Sequence, residues 1–125
     1  MQLTYLYDTD ATHQTSHNNT LIFCPNLRAN RYYDFNQNSF PAVPVGTDFE
    51  FFAEDLDTFA GSHALFLRVY TPPTTGAFSV MTSSDIVSSV DPNNSNNTLL
   101  KLPNKRLVHV RCINPGAIKL LLVST

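Results

Sequence analysis

The densest set of potential ligands in the 125-residue chain is Asp8-x-Asp10-x-x-His13-x-x-x-His17. Two carboxylates and two imidazoles are the donor types that hold a divalent metal. The spacing argues against it. An i,i+4 histidine pair converges on a helix, whereas Asp, Thr and Asn crowd this segment and predict loop. The glycine and bidentate glutamate of a calcium-binding loop are missing at the required offsets. The residues are expected to make turns, with both histidines solvated. Glu54, Asp55 and Asp57 form a second acidic knot. It fits the first turn of a short helix over 54–60, ended by Gly61, where negative charge is favoured.

His63 and His109 fall in apolar, alternating runs. Neither belongs to the His-x-His…Glu set that a metal-binding β-barrel enzyme needs. Ten serines include no Gly-x-Ser-x-Gly elbow. Cys24 and Cys112 sit in apolar strand runs, so two inert buried thiols are expected rather than a nucleophile or a disulfide. No enzyme activity, metal or cofactor is expected from these residues.

Apolar runs of four to nine residues recur between turn residues, and these are the elements that must position such groups. They are residues 3–7, 21–24, 31–35, 47–53, 63–71, 77–82, 86–90, 98–102, 107–113 and 117–124. Thr47–Ala53 alternates, with Phe49 and Phe51 on one face and Asp48 and Glu50 on the other. The firmest pattern is a hairpin across Asn114-Pro115-Gly116. There Val108, Val110 and Cys112 face a core with Ile118, Leu120 and Leu122, while His109 and Arg111 face out. Leu121 and Val123, beside Lys119, form a second apolar face on the last strand. Period-two patterning with Gly, Pro and Asn punctuation predicts an all-β single domain over 1–125, a β-sandwich of jelly-roll or immunoglobulin-like type with about eight strands.

Only 14% of residues are charged, against about 25% in typical domains. Twelve Asn, thirteen Thr and ten Ser supply the polarity instead. These residues compete with a helix for backbone hydrogen bonds. The composition therefore excludes a coiled coil, a charged disordered tail and a polybasic nucleic-acid binder. The charge is unevenly placed. Residues 1–91 hold all ten acids and only Arg28, Arg31 and Arg68, while residues 92–125 hold five cations and no acid. Acidic and basic strands side by side would give this, and so would a dipolar molecule packing head-to-tail.

Met1–Tyr5 has neither a basic region nor an apolar core, which predicts a chain made in the cytoplasm. No run is long enough for a membrane helix. In composition and pattern the chain is similar to assembled virion components, among them bacteriophage decoration (cement) proteins, many of which are single β-sandwiches. That resemblance implies a homo-oligomer, with a trimer as the natural form, bound to a major capsid protein or other virion proteins. The contact residues expected are Tyr32, Tyr33, Phe35, Phe40, Arg111, Lys119, Leu121 and Val123, from the hairpin 107–124 and the segment Arg31–Pro44. The alternatives are a receptor- or carbohydrate-binding sandwich and a small shell-forming coat protein.

Overall fold

In a computed structural model, the chain is an all-β sandwich of two mixed sheets. The structure describes residues 2–35, 43–55, 63–70, 79–114 and 119–125, without the side chains at 79–81, 114 and 119. Eleven strands are present among them: β1 (Gln2–Tyr5), β2 (Ala11–Thr12), β3 (Thr20–Leu27), β4 (Arg31–Phe35), β5 (Asp48–Asp55), β6 (Leu65–Tyr70), β7 (Ser79–Met81), β8 (Val87–Val90), β9 (Asn97–Lys101), β10 (Leu107–Asn114) and β11 (Lys119–Ser124). One sheet runs β1-β3-β5-β10-β11-β7 and the other β2-β4-β6-β9-β8.

From β1 to β8 the chain changes sheet at every step. Each sheet therefore receives alternate strands, and β1, β3 and β5 lie parallel, as do β2, β4 and β6. Antiparallel pairing enters with β9 and β10, which line up against β6 and β5. The sandwich is the expected architecture, but its winding carries more parallel pairing than jelly-roll or immunoglobulin-like patterns do. Parallel neighbours need a crossover connection, and here the opposite sheet supplies it.

The period-two patterns decide the faces. In β5, Phe49, Phe51 and Ala53 point inward; in β6, Leu65, Leu67 and Val69 do; in β10, Val108, Val110 and Cys112 do. The two sheets meet through aromatic rings. Tyr33 and Phe35 of β4 touch Phe51 and Phe49 of β5 edge-on, with centroids 5.1 and 5.4 Å apart. Edge-to-face packing suits the ring quadrupoles.

The hairpin has the expected register, Val110 opposite Leu122 and Cys112 opposite Leu120. Ile118 lies outside the described residues. Three expectations change. Glu54 and Asp55 continue strand β5 instead of starting a helix, and the rest of 54–60 lies outside the described residues. The run read over 21–24 extends through Pro25 to Leu27, because a register irregularity between Cys24 and Leu27 accommodates the proline, and β1 pairs no further than Phe23. The 8–19 segment contains β2 and a turn of 3-10 helix at Thr15–His17. Gly46, at φ 87°, makes the turn into β5, in a conformation that disfavours any other residue.

Candidate functional site

The candidate ligands of the first segment are drawn apart. Asp8 Oδ1 accepts from the Arg28 amide at 2.9 Å and from Arg31 Nε at 3.0 Å. These bonds, Arg31's first, hold its carboxyl below the usual range. Asp10 Oδ1 accepts from the Tyr32 amide. His13 Nε2 lies 2.7 Å from Asn18 Oδ1, and His17 Nδ1 lies 2.7 Å from the Tyr33 hydroxyl. Contrary to expectation both histidines are buried, because the segment folds across one end of the sandwich and tucks them between the sheets. Among the described residues no three His, Cys, Asp or Glu side chains are arranged to hold a metal.

At the opposite end, Asp55 accepts from the His63 amide at 3.2 Å and sits 3.3 Å from His63 Nδ1. Its own amide donates to Asn104 Oδ1. The pair thus ties β5, β6 and the β9–β10 turn together. Neither cysteine is in a disulfide. Cys24 stands opposite Ala53, whereas the Cys112 amide donates to the Thr47 carbonyl at the other end of β5. At about 3.3 Å per residue the two thiols are far beyond bridging reach.

The outer face of the five-stranded sheet is knitted by its own interactions. Tyr32 stacks on Phe66 (5.3 Å, 20°) and lies under the Arg68 guanidinium at 4.3 Å. Arg68 Nη1 also donates to both Asp34 oxygens, at 3.2 and 3.3 Å. Its Nε approaches Asp91 Oδ2 at 3.3 Å, close enough for an ion pair but off the line of a hydrogen bond. Burial raises the Asp34 carboxyl, and Arg68 opposes that rise.

The outer face of the six-stranded sheet is different. Tyr7 stacks on Tyr5 (5.7 Å, 9°), Tyr5 meets Phe23 edge-on (5.6 Å), and Phe23 stacks on Phe52 (5.6 Å). Leu107 stands opposite Phe52 and extends the row. A parallel row runs Leu3, Leu21, Glu50, His109, Val123. Tyr5 is 48% exposed, Tyr7 75%, Leu3 50% and Val123 41%. Among the described residues the charge on this face lies on the two central strands: Asp48, Glu50 and Glu54 on β5 and Arg111 on β10, with Arg111 and His109 sharing Asp48.

Of the expected contact residues, Val123 is exposed on this face, Leu121 half-buried on it, and Arg111 paired on it. Tyr32 belongs to the other outer face. Tyr33 and Phe35 are corrections: both are wholly buried and hold the sheets together, because the alternation in β4 turns them inward. Phe40 and the Lys119 side chain lie outside the described residues. Sequence reading missed Phe23 and Phe52. Phe52 was visible as an aromatic on the Asp48/Glu50 face of β5, and a second apolar face on β3 was visible in Leu21 and Phe23.

Compared with family models, with curated proteins and with solved structures, the chain matches none. Among the described residues no helix is long and apolar enough to cross a membrane.

Proposed function

We propose that this chain is a non-enzymatic structural module that lays the outer face of its six-stranded sheet on partner proteins. The setting proposed is a virus or bacteriophage particle, with the chain as a capsid decoration (cement) protein that stabilises the shell. The observation that carries the contact surface is the half-exposed row Tyr5–Phe23–Phe52, flanked by Leu3 and Val123. Interface cores are rich in aromatic residues and depleted in charge. The low charged fraction and the neutral polar loops support the particle setting. Binding of such faces to the assembled shell would stabilise the closed particle by mass action.

A second reading rests on one observation. The stacked, exposed Tyr5–Tyr7 pair is a flat apolar platform of the kind on which a sugar ring sits. In that case the chain is a receptor- or carbohydrate-binding module.

The deciding experiment is sedimentation of native source material, with mass spectrometry locating the chain. Travel with megadalton particles at high salt, abolished by Phe52→Asp or Leu121→Asp in folded protein, supports the decoration reading. A small species at the top of the gradient overturns it. Glycan binding lost in Tyr7→Ser would then carry the second reading.

A further inference from the structure

Two imidazoles close one end of the sandwich from within. His13 is 6% exposed and His17 9%. The His13 ring lies against Phe35 of β4 (5.5 Å, 26°) and edge-on to Phe49 of β5 (5.4 Å, 81°). His17 stands edge-on to His13 at 6.3 Å. From β4 the Tyr33 hydroxyl meets His17 Nδ1, and from β3 the Thr20 hydroxyl donates to the His17 carbonyl oxygen at 2.7 Å. Burial holds the Tyr33 phenol and the neighbouring Cys24 thiol neutral, and Cys112 lies toward this end, its amide bonded to the Thr47 carbonyl.

The nearby carboxylates are committed elsewhere. Asp34 on β4 is bound by Arg68, Asp48 on β5 by Arg111 and His109, Asp8 by Arg31, and Asp10 by the Tyr32 amide. Among the described residues, neither ring has a counter-ion for a positive charge. With its proton on Nε2, a neutral His17 accepts the Tyr33 proton at Nδ1. An imidazolium cannot accept, so the phenol proton would lose its partner in a dry site, while two cations would face each other across 6.3 Å.

We propose that His13 and His17 form an acid-operated latch, whose protonation releases the segment Ala11–Asn19 from the end of the sandwich while the β10–β11 hairpin stays folded. The segment is held at few points. Strand β2 contributes two residue pairs to β4, the His13 amide donates to the Asp34 carbonyl at 2.8 Å, and Asn19 pairs with Asp48. The other ties run through the two imidazoles and the turn that carries them: the His13 ring against Phe35 and Phe49, the His17–Tyr33 bond, and the Thr20 hydroxyl on the His17 carbonyl oxygen. The hairpin, by contrast, is paired over six positions. Weakly packed segments open first.

Burial holds both imidazoles below the ordinary value of 6.5, and His13 adds to the effect on His17. The released segment therefore takes up protons from about pH 6.5 downward, whereas the closed one resists. Closure is complete above that value and is lost as pH falls through it toward the closed-state values. The latch does not depend on what covers the outer sheet face.

The test is NMR on the intact chain, titrating each imidazole and measuring amide protection factors at about pH 7.5 and about pH 5.5. The expected result is two rings titrating below exposed histidine. Residues 11–19 lose about tenfold in protection, and β10–β11 changes less than about twofold. The double variant His13→Gln/His17→Gln abolishes the loss, and His63→Gln leaves it intact. Rings that titrate at the ordinary value overturn the proposal. So does unchanged protection in 11–19, or a double variant that keeps the full pH response. If the double variant does not fold, the measurements on the unaltered chain decide alone.

Discussion

Arg111 on β10 grips Asp48 on β5 with two nitrogens, Nε 2.7 Å from Oδ1 and Nη2 3.1 Å from Oδ2. The strands place these residues directly opposite each other, with His109 opposite Glu50 on the same face. Acids from the first part of the chain thus lie beside cations from the last part. Lys105 approaches Glu54 in the same way, at 3.9 Å, and both pairs fit acidic and basic strands lying side by side.

The first prediction concerns that pair. Arg111's hydrogen bond, then His109's, keeps the Asp48 carboxyl below its ordinary 3.8. The stabilisation is present above about pH 4 and is lost as pH falls through the folded value. Both side chains are partly exposed, so the coupling is small and salt-sensitive. A double-mutant cycle of Asp48→Asn and Arg111→Met, measured by urea unfolding, should resolve a coupling at low salt near pH 7. It should shrink at high salt and fall progressively as pH is lowered below about 4. Coupling unchanged under either condition contradicts this account.

Phe51 and Phe52 are sequence neighbours on opposite faces. Phe51 is wholly buried against Tyr33, Phe35 and Phe49. Phe51→Ala should destabilise the fold by about 3–5 kcal/mol, through lost burial plus a cavity. Phe52 stacks on Phe23 at the surface, and Phe52→Ala should cost about 1 kcal/mol. Equal costs in denaturant titrations would mean that the faces are wrongly assigned.

What the sequence could express follows from such pairs. Alternation in 47–53 and 107–113 specifies which side chains share a face, and the Asn-Pro-Gly turn specifies the hairpin partner. Alternation says nothing about which distant strand lies alongside. The sheet changes from β1 to β8 were therefore illegible, because each parallel neighbour is a crossover away. The aromatic run Tyr32-Tyr33-Asp34-Phe35 has a clear period of two. Both of its faces carry an aromatic, so local pattern could not say that Tyr33 and Phe35 point inward. His13 and His17 read as solvated for a similar reason. Their burial comes from the path of residues 11–19 across the sandwich end, which is a tertiary fact.

The Tyr33 hydroxyl gives a narrower test of that end. Tyr33→Phe keeps the ring contacts with Phe35 and Phe51 and removes only the bond to His17 Nδ1. A buried polar group left without its hydrogen-bond partner costs about 1–3 kcal/mol. The variant should fold, with a lower midpoint of thermal unfolding at pH 7. An unchanged midpoint would show that His17 finds another partner and that the Tyr33 bond contributes nothing to closure.

The cysteines report on the whole interior. Burial pushes the Cys24 thiol up to about 12. Thiolate, the reactive form, is therefore scarce at pH 8, and the sulfur is also shielded from reagent. Cys112 is fully buried, with its Sγ 4.0 Å from the Val43 carbonyl oxygen. In native protein a disulfide reagent should modify both thiols at least about a thousandfold more slowly than in denatured protein, with a rate that tracks the opening equilibrium. Mild denaturant should accelerate both. Because Cys24 and Cys112 sit toward opposite ends of the six-stranded sheet, a difference between their rates would measure which end opens first. Rapid labelling of Cys24 in native protein at neutral pH would mean that the packing around Tyr33 is not closed, and the aromatic core assigned to β4 and β5 would have to be redrawn.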